Sequence, residues 1–68
     1  MSSKINYLKK LGDIRRKKGL TQRKLAKISG VSYNTIIKIE RGGIPNPTIE
    51  TVLKLSQALN IKIDDLLK

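Results

Sequence analysis

The chain contains no cysteine and no histidine. The first absence excludes a disulfide framework and thiolate metal sites. Together they remove most zinc sites, the Ser-His-Asp and Cys-His catalytic pairings, and a histidine pH switch. Tryptophan and phenylalanine are also absent, and Tyr7 and Tyr33 are the only aromatic residues. The stacking platforms that usually grip single-stranded nucleic acid are therefore missing. Acids are scarce, at five Asp and Glu in all, and they form no paired-carboxylate constellation. Asp64 and Asp65 are adjacent, so they point to different sides of a helix and suit its N-terminus better than a metal. No apolar run approaches the roughly 18 residues of a membrane span. The opening "MSSKINYLKK" lacks the apolar core and cleavage site of a signal peptide. The expectation is a cytoplasmic protein that is not an enzyme and holds neither metal nor cofactor.

What is present in excess is positive charge. Fifteen Lys and Arg face five acids, for a net charge of +10 over 68 residues. Residues 1–41 carry twelve basic and two acidic side chains, and residues 42–68 carry three of each. The whole excess thus sits in the first part of the chain, and the rest is neutral. Such a footprint points to nucleic acid. The plainer reading is a solvated lysine-rich surface. The length predicts one domain, residues 1–68, with a thin core and little stability to spare.

Short helices account for most of the sequence. Ile5, Leu8, Leu11 and Ile14 recur at a spacing compatible with one helix face. The basic run "RRKK" suits a last turn, and Gly19 suits the left-handed position after it. Thr21 is a good N-cap, and Leu25, Ala26 and Ile28 give the next helix an apolar side. Gly30 stops that helix, and Ser32 caps another that runs to about Arg41. "IPNP" cannot be helical. Thr48 caps a fourth helix lined by Ile49, Val52, Leu53, Leu59 and, in part, Leu55, and ending at Asn60. "IKIDDLLK" reads as a short last helix or turn. "NIKI" is the single strand candidate, too short and isolated to build a sheet. The expected class is all-α, a compact bundle of about five short helices.

"VSYNTIIKIERG", residues 31–42, faces two ways. Val31, Ile36 and Ile39 point to a core. Tyr33, Asn34, Lys38 and Arg41 form a polar side, and Ile37 falls outside the apolar stripe. Two helices joined by a tight glycine turn make a helix-turn-helix, here about residues 21–41 with the second helix about 32–41. In such a unit the second helix enters the major groove of duplex DNA.

In these segments the sequence resembles the lambda-repressor-like, or Cro/C1-type (XRE), helix-turn-helix family. The matching pieces are "LGDIRRKKGLTQRKLA", "SGVSYNTIIKIERG", "NPTIETVLKLSQALNI" and "DDLL", from about Leu11 to Leu67. The resemblance implies a compact five-helix DNA-binding fold, usually dimeric, in a transcriptional regulator. Small members include restriction-modification controllers, phage regulators and antitoxins. It further implies that Gln22 braces the recognition helix and helps contact a phosphate, and that Ser32 combines capping with a phosphate contact. Tyr33, Asn34 and Lys38 match the main base-reading positions, and Thr35 and Ile37 match positions near the groove. Arg41 matches a position near the backbone or minor-groove edge, and Arg15 and Glu40 match a salt bridge between the first and third helices. Two departures stand out. The loop "GGIPNP" brings no Lys or Arg beyond Arg41, so backbone amides of Gly42 and Gly43 are left to meet phosphate there. Ile28 stands where relatives often have a polar residue, and either extends the core or lies exposed.

Each of these residues also has a purely structural reading. Tyr33 either reaches the groove or lies over a neighbouring turn. Asn34 is a local capping partner or a bidentate reader of adenine, and Ile37 is core or packs on a thymine methyl. Lys38 is solvated or reaches guanine or a phosphate. Arg23 leads the candidates for phosphate contact on the second helix. The implied protein is a sequence-specific duplex-DNA-binding regulator. It is expected to be cytoplasmic and nucleoid-associated, with no membrane partner or small-molecule effector. A homodimer reading a palindrome with half-sites about 34 Å apart would overcome the short reach of one helix. Ile44, Ile61, Ile63 and Leu67, in the neutral part, are the candidate dimer residues. The competing class is an antitoxin or adaptor whose main partner is another protein.

Overall fold

The computed structural model describes residues 8, 10–42 and 47–67. These form five α-helices: α1 (Leu11–Lys17), α2 (Gln22–Ser29), α3 (Tyr33–Glu40), α4 (Ile49–Leu59) and α5 (Ile63–Leu67). No strand occurs among the described residues, in keeping with the all-α expectation; "NIKI" is the α4–α5 connection and the start of α5.

Local chemistry sets the helix ends. The hydroxyl oxygens of Thr21, Ser32 and Thr48 accept from the backbone N–H groups of Lys24, Thr35 and Thr51, at 3.0, 3.1 and 3.1 Å. Each such cap contributes about 1 kcal/mol. Helix α1 closes with Gly19 N–H donating to Arg16 O at 2.9 Å and Leu20 N–H to Arg15 O at 3.1 Å. That double closure needs a left-handed residue, and Gly19 supplies it at φ +75°. Gly30 does the same after α2, with φ +77° and its N–H on Ala26 O at 3.0 Å. This turn swings α3 across α2. Asn60, at φ 56°, takes the equivalent place after α4.

The core is built from Leu8 and Leu11, Leu25 of α2, Val31, Ile36 and Ile39 around α3, Val52, Leu55 and Leu59 of α4, and Leu66 of α5. Helix α2 packs on α3 and α4, α1 on α3, and α5 on α4. Leu25 is the one fully buried side chain that α2 contributes. Truncating it to alanine is expected to cost about 2–5 kcal/mol, much of what a chain this short has.

Two faces differ from the sequence reading. On α4 the buried stripe is Val52, Leu55, Ser56 and Leu59, the i, i+3, i+4, i+7 set of a helix. Leu53 follows Val52 by one residue, about 100° round the helix. It is 39% exposed, and Ile49 in the first turn is 70% exposed. Leu55, read as only partly lining the face, is fully buried. Ile28 takes its exposed alternative. Ile61 and Ile63 are partly buried and pack against the core, so much of their apolar surface is already covered. Ile5, Gly43, Ile44 and the side chain of Leu67 lie outside the described residues.

Candidate nucleic-acid interface

Helix α3 carries two independent stripes. Ile36 and Ile39 are fully buried and fasten the helix to the core. Asn34, Lys38 and Arg41 are exposed, and Ile37 is half-buried. These four stand at i, i+3, i+4 and i+7 and so share one outward stripe. Ile37 therefore belongs with the polar residues around it, away from Ile36 and Ile39. Tyr33 and Thr35 flank this stripe and are half-buried. The Thr35 hydroxyl is engaged at the cap, accepting from Ser32 Oγ at 2.9 Å.

The orientation of α3 is set at its other end. Arg15 Nε donates to Glu40 Oε2 at 2.7 Å and Arg15 Nη2 to Glu40 Oε1 at 3.1 Å, a bidentate pair. Their side chains are only 10% and 9% exposed. Gln22 Nε2 adds a third bond to Glu40 Oε1 at 3.0 Å, and Arg15 Nη1 donates to Leu20 O at 2.8 Å. One carboxylate thus joins α1, the start of α2 and the end of α3. Every described buried side-chain polar atom has a partner, so the pair escapes the penalty of an unsatisfied buried charge. The structure thus brings Arg15, Gln22 and Glu40 together at one carboxylate. The Gln22 amide nitrogen uses one of its two N–H donors on Glu40.

Two features went unread in the sequence. Gly12 is buried in α1, and a β-carbon on it would lie 3.1 Å from Glu40 Oε1. The one signal in the sequence was a glycine inside a segment that reads as helix; Gly12 stands second in α1. The second is a stack: the Arg23 guanidinium carbon lies 4.4 Å from the centroid of the Tyr33 ring. Arg23, Ala26, Lys27, Gly30, Val31, Ser32 and Tyr33 line an open cleft of about 470 Å³ between α2 and the start of α3. The signal was weaker here, since the two residues are ten positions apart and only the turn at Gly30 brings them together.

Exposed cations stand on α2 and within the outward stripe of α3. Among the described residues, Arg16 pairs with Asp13 and Lys54 with Glu50, besides the buried Arg15–Glu40 pair. The exposed Arg23, Lys24, Lys27, Lys38 and Arg41 enter none of these pairs. No helix among the described residues is long and apolar enough to cross a membrane.

Capped α2, the left-handed turn at Gly30 and capped α3, its inner face locked and its outer face open, constitute a helix-turn-helix. The chain belongs to the helix-turn-helix family, in its Cro/C1-type (XRE) form; the family profile matches residues 11–66. It is 36% identical over 66 residues to an uncharacterized HTH-type transcriptional regulator of Methanocaldococcus jannaschii, covering 97% of this chain and 89% of that one. It is 37% identical over 57 residues to an uncharacterized HTH-type transcriptional regulator of Archaeoglobus fulgidus, covering 84% and 80%. Among solved structures it is similar to the restriction-modification controller protein C.AhdI from Aeromonas hydrophila. The TM-score is 0.83 at 34% identity, with 91% of this chain and 92% of that one covered.

Proposed function

We propose that this chain is a sequence-specific duplex-DNA-binding transcriptional regulator that reads a palindromic operator as a homodimer. The observation that carries this is the outward stripe of Asn34, Ile37, Lys38 and Arg41 on a helix whose other side is fixed in the core. Membership of a family of transcriptional regulators supports it. In this reading α3 lies in the major groove. Asn34 pairs with the N6/N7 edge of adenine, Lys38 donates to guanine O6 or N7, and Ile37 packs on a thymine methyl. Tyr33 and Thr35 border the same bases. Arg23, Arg41, Ser32, the α2 N-terminus at Gln22 and the amide of Gly43 hold phosphates. The surrounding lysines supply affinity by releasing counterions, so binding weakens steeply with salt.

Dimerisation belongs to the neutral part of the chain, because two copies carrying the excess charge of residues 1–41 repel through that half. Ile49 and Leu53 now join Ile44, Ile61, Ile63 and Leu67 as its apolar residues. The site of action is the cytoplasm, on nucleoid DNA. The same exposed Ile49 and Leu53 suit the second reading, an antitoxin or adaptor that uses this half for a different protein.

The test is selection from random duplex DNA at about 0.15 M salt, a range where phosphate contacts alone bind weakly. An enriched palindrome with half-sites one helical turn apart is the expected result. A bound pool without a motif, together with stable co-purification of another protein, would favour the second reading.

A further inference from the structure

We infer that Arg23 is a positioning residue that couples phosphate contact to base reading through Tyr33. This rests on the reading of α3 as the base-reading helix.

Arg23 is the second residue of α2 and Tyr33 the first of α3. The guanidinium lies over the ring at 4.4 Å, inside the usual range for a cation–π contact. Arg23 is exposed while Tyr33 is half-buried, so the arginine covers the ring from the solvent side. Ala26, Gly30 and Val31 line the adjoining cleft. Ala26 and Gly30 present little side chain there, which leaves room for the ring.

A guanidinium stacks by its face, and its five N–H donors lie in its plane. No side-chain hydrogen bond uses these donors among the described residues. Arg23 can therefore hold Tyr33 with its face and donate to a phosphate with its edge at the same time. A phosphate contact ordinarily fixes register and carries no sequence information. Here it fixes a ring as well. Locking Tyr33 before DNA arrives removes rotamer freedom that would otherwise be lost on binding. Arg23 thereby sharpens discrimination at the base pair beside Tyr33 without touching a base. Lysine is a point charge on a flexible stem and cannot serve face and edge together.

The experiment is duplex selection followed by affinity titration against salt, on the full chain and its variants. Arg23→Lys is expected to keep the wild-type salt slope, since the charge remains. It should lose about two- to fivefold of the discrimination at one position per half-site, the size of an exposed cation–π contact. Tyr33→Leu should lose discrimination at that same position, and adding Arg23→Lys to it should change nothing there. Tyr33→Phe, which keeps the ring, should preserve the dependence on Arg23. Arg23→Lys with undiminished discrimination would overturn the inference, as would additive losses in the double variant. Wild-type protein that enriches no motif would instead overturn the base-reading assignment, and this inference with it.

Discussion

Gly12 of α1 faces the Glu40 carboxylate that closes α3: a β-carbon there would stand 3.1 Å from Oε1 and 3.4 Å from Cδ. The acid cannot easily yield, because Arg15 and Gln22 hold it with three hydrogen bonds. Alanine in place of glycine ordinarily strengthens a helix by about 1 kcal/mol. Gly12→Ala is expected to forfeit most of that gain in the wild-type chain and to realise it in a Glu40→Ala background. Urea unfolding of the four proteins measures the coupling, and equal effects in both backgrounds would rule the contact unimportant.

Removing either member of the Arg15–Glu40 pair leaves a buried charge without its partner. Glu40→Ala or Arg15→Ala should cost about 3–5 kcal/mol. Replacing both by apolar residues of similar size should cost much less. Chemical denaturation of the singles and the double decides this. A double variant as unstable as either single would mean that the pair does more than neutralise itself.

Asn34→Ala touches only the outward stripe, so stability should stay within about 0.5 kcal/mol of wild type. Discrimination at one base pair per half-site should fall by about 1–3 kcal/mol. Binding titrations on single-base operator variants test the pairing. A uniform loss across all sequences would move Asn34 to the phosphate contacts.

Arg41→Ala should weaken binding evenly across sequences. The slope of log K against log salt should become shallower by about one per protomer. An unchanged slope would remove Arg41 from the phosphate clamp.

Leu53→Glu and Ile49→Lys should weaken self-association while leaving the fold intact, since both side chains lie outside the core. Sedimentation equilibrium gives the dimer constant directly. Unaltered association would place the dimer contact elsewhere in the neutral half.

Most of the architecture was legible in the residues. Thr21, Ser32 and Thr48 marked three helix starts, and Gly19, Gly30 and Asn60 three ends, because caps are local chemistry. On α3 the spacing separated Ile36 and Ile39 from Asn34, Lys38 and Arg41, and it left Ile37 open. On α4 the spacing was ambiguous. Seven apolar or small residues crowd its eleven positions, and only packing decides that Leu55 goes in and Leu53 stays out. The candidate site was less legible where it depends on approach between helices. Gly12 and the Arg23–Tyr33 stack are properties of the turn at Gly30 and of how closely α1 meets α3, which no single segment encodes.

The two stripes of α3 share no residue. Ile36, Ile39 and Glu40 hold the helix in place, and Asn34, Lys38 and Arg41 are exposed beside the half-buried Ile37. Mutation can therefore explore new outward residues at little folding cost, one position at a time. A scaffold of this kind lets binding preference drift between lineages while the frame stays fixed. The exception is Tyr33, which is tied to Arg23 and is expected to change only in step with it.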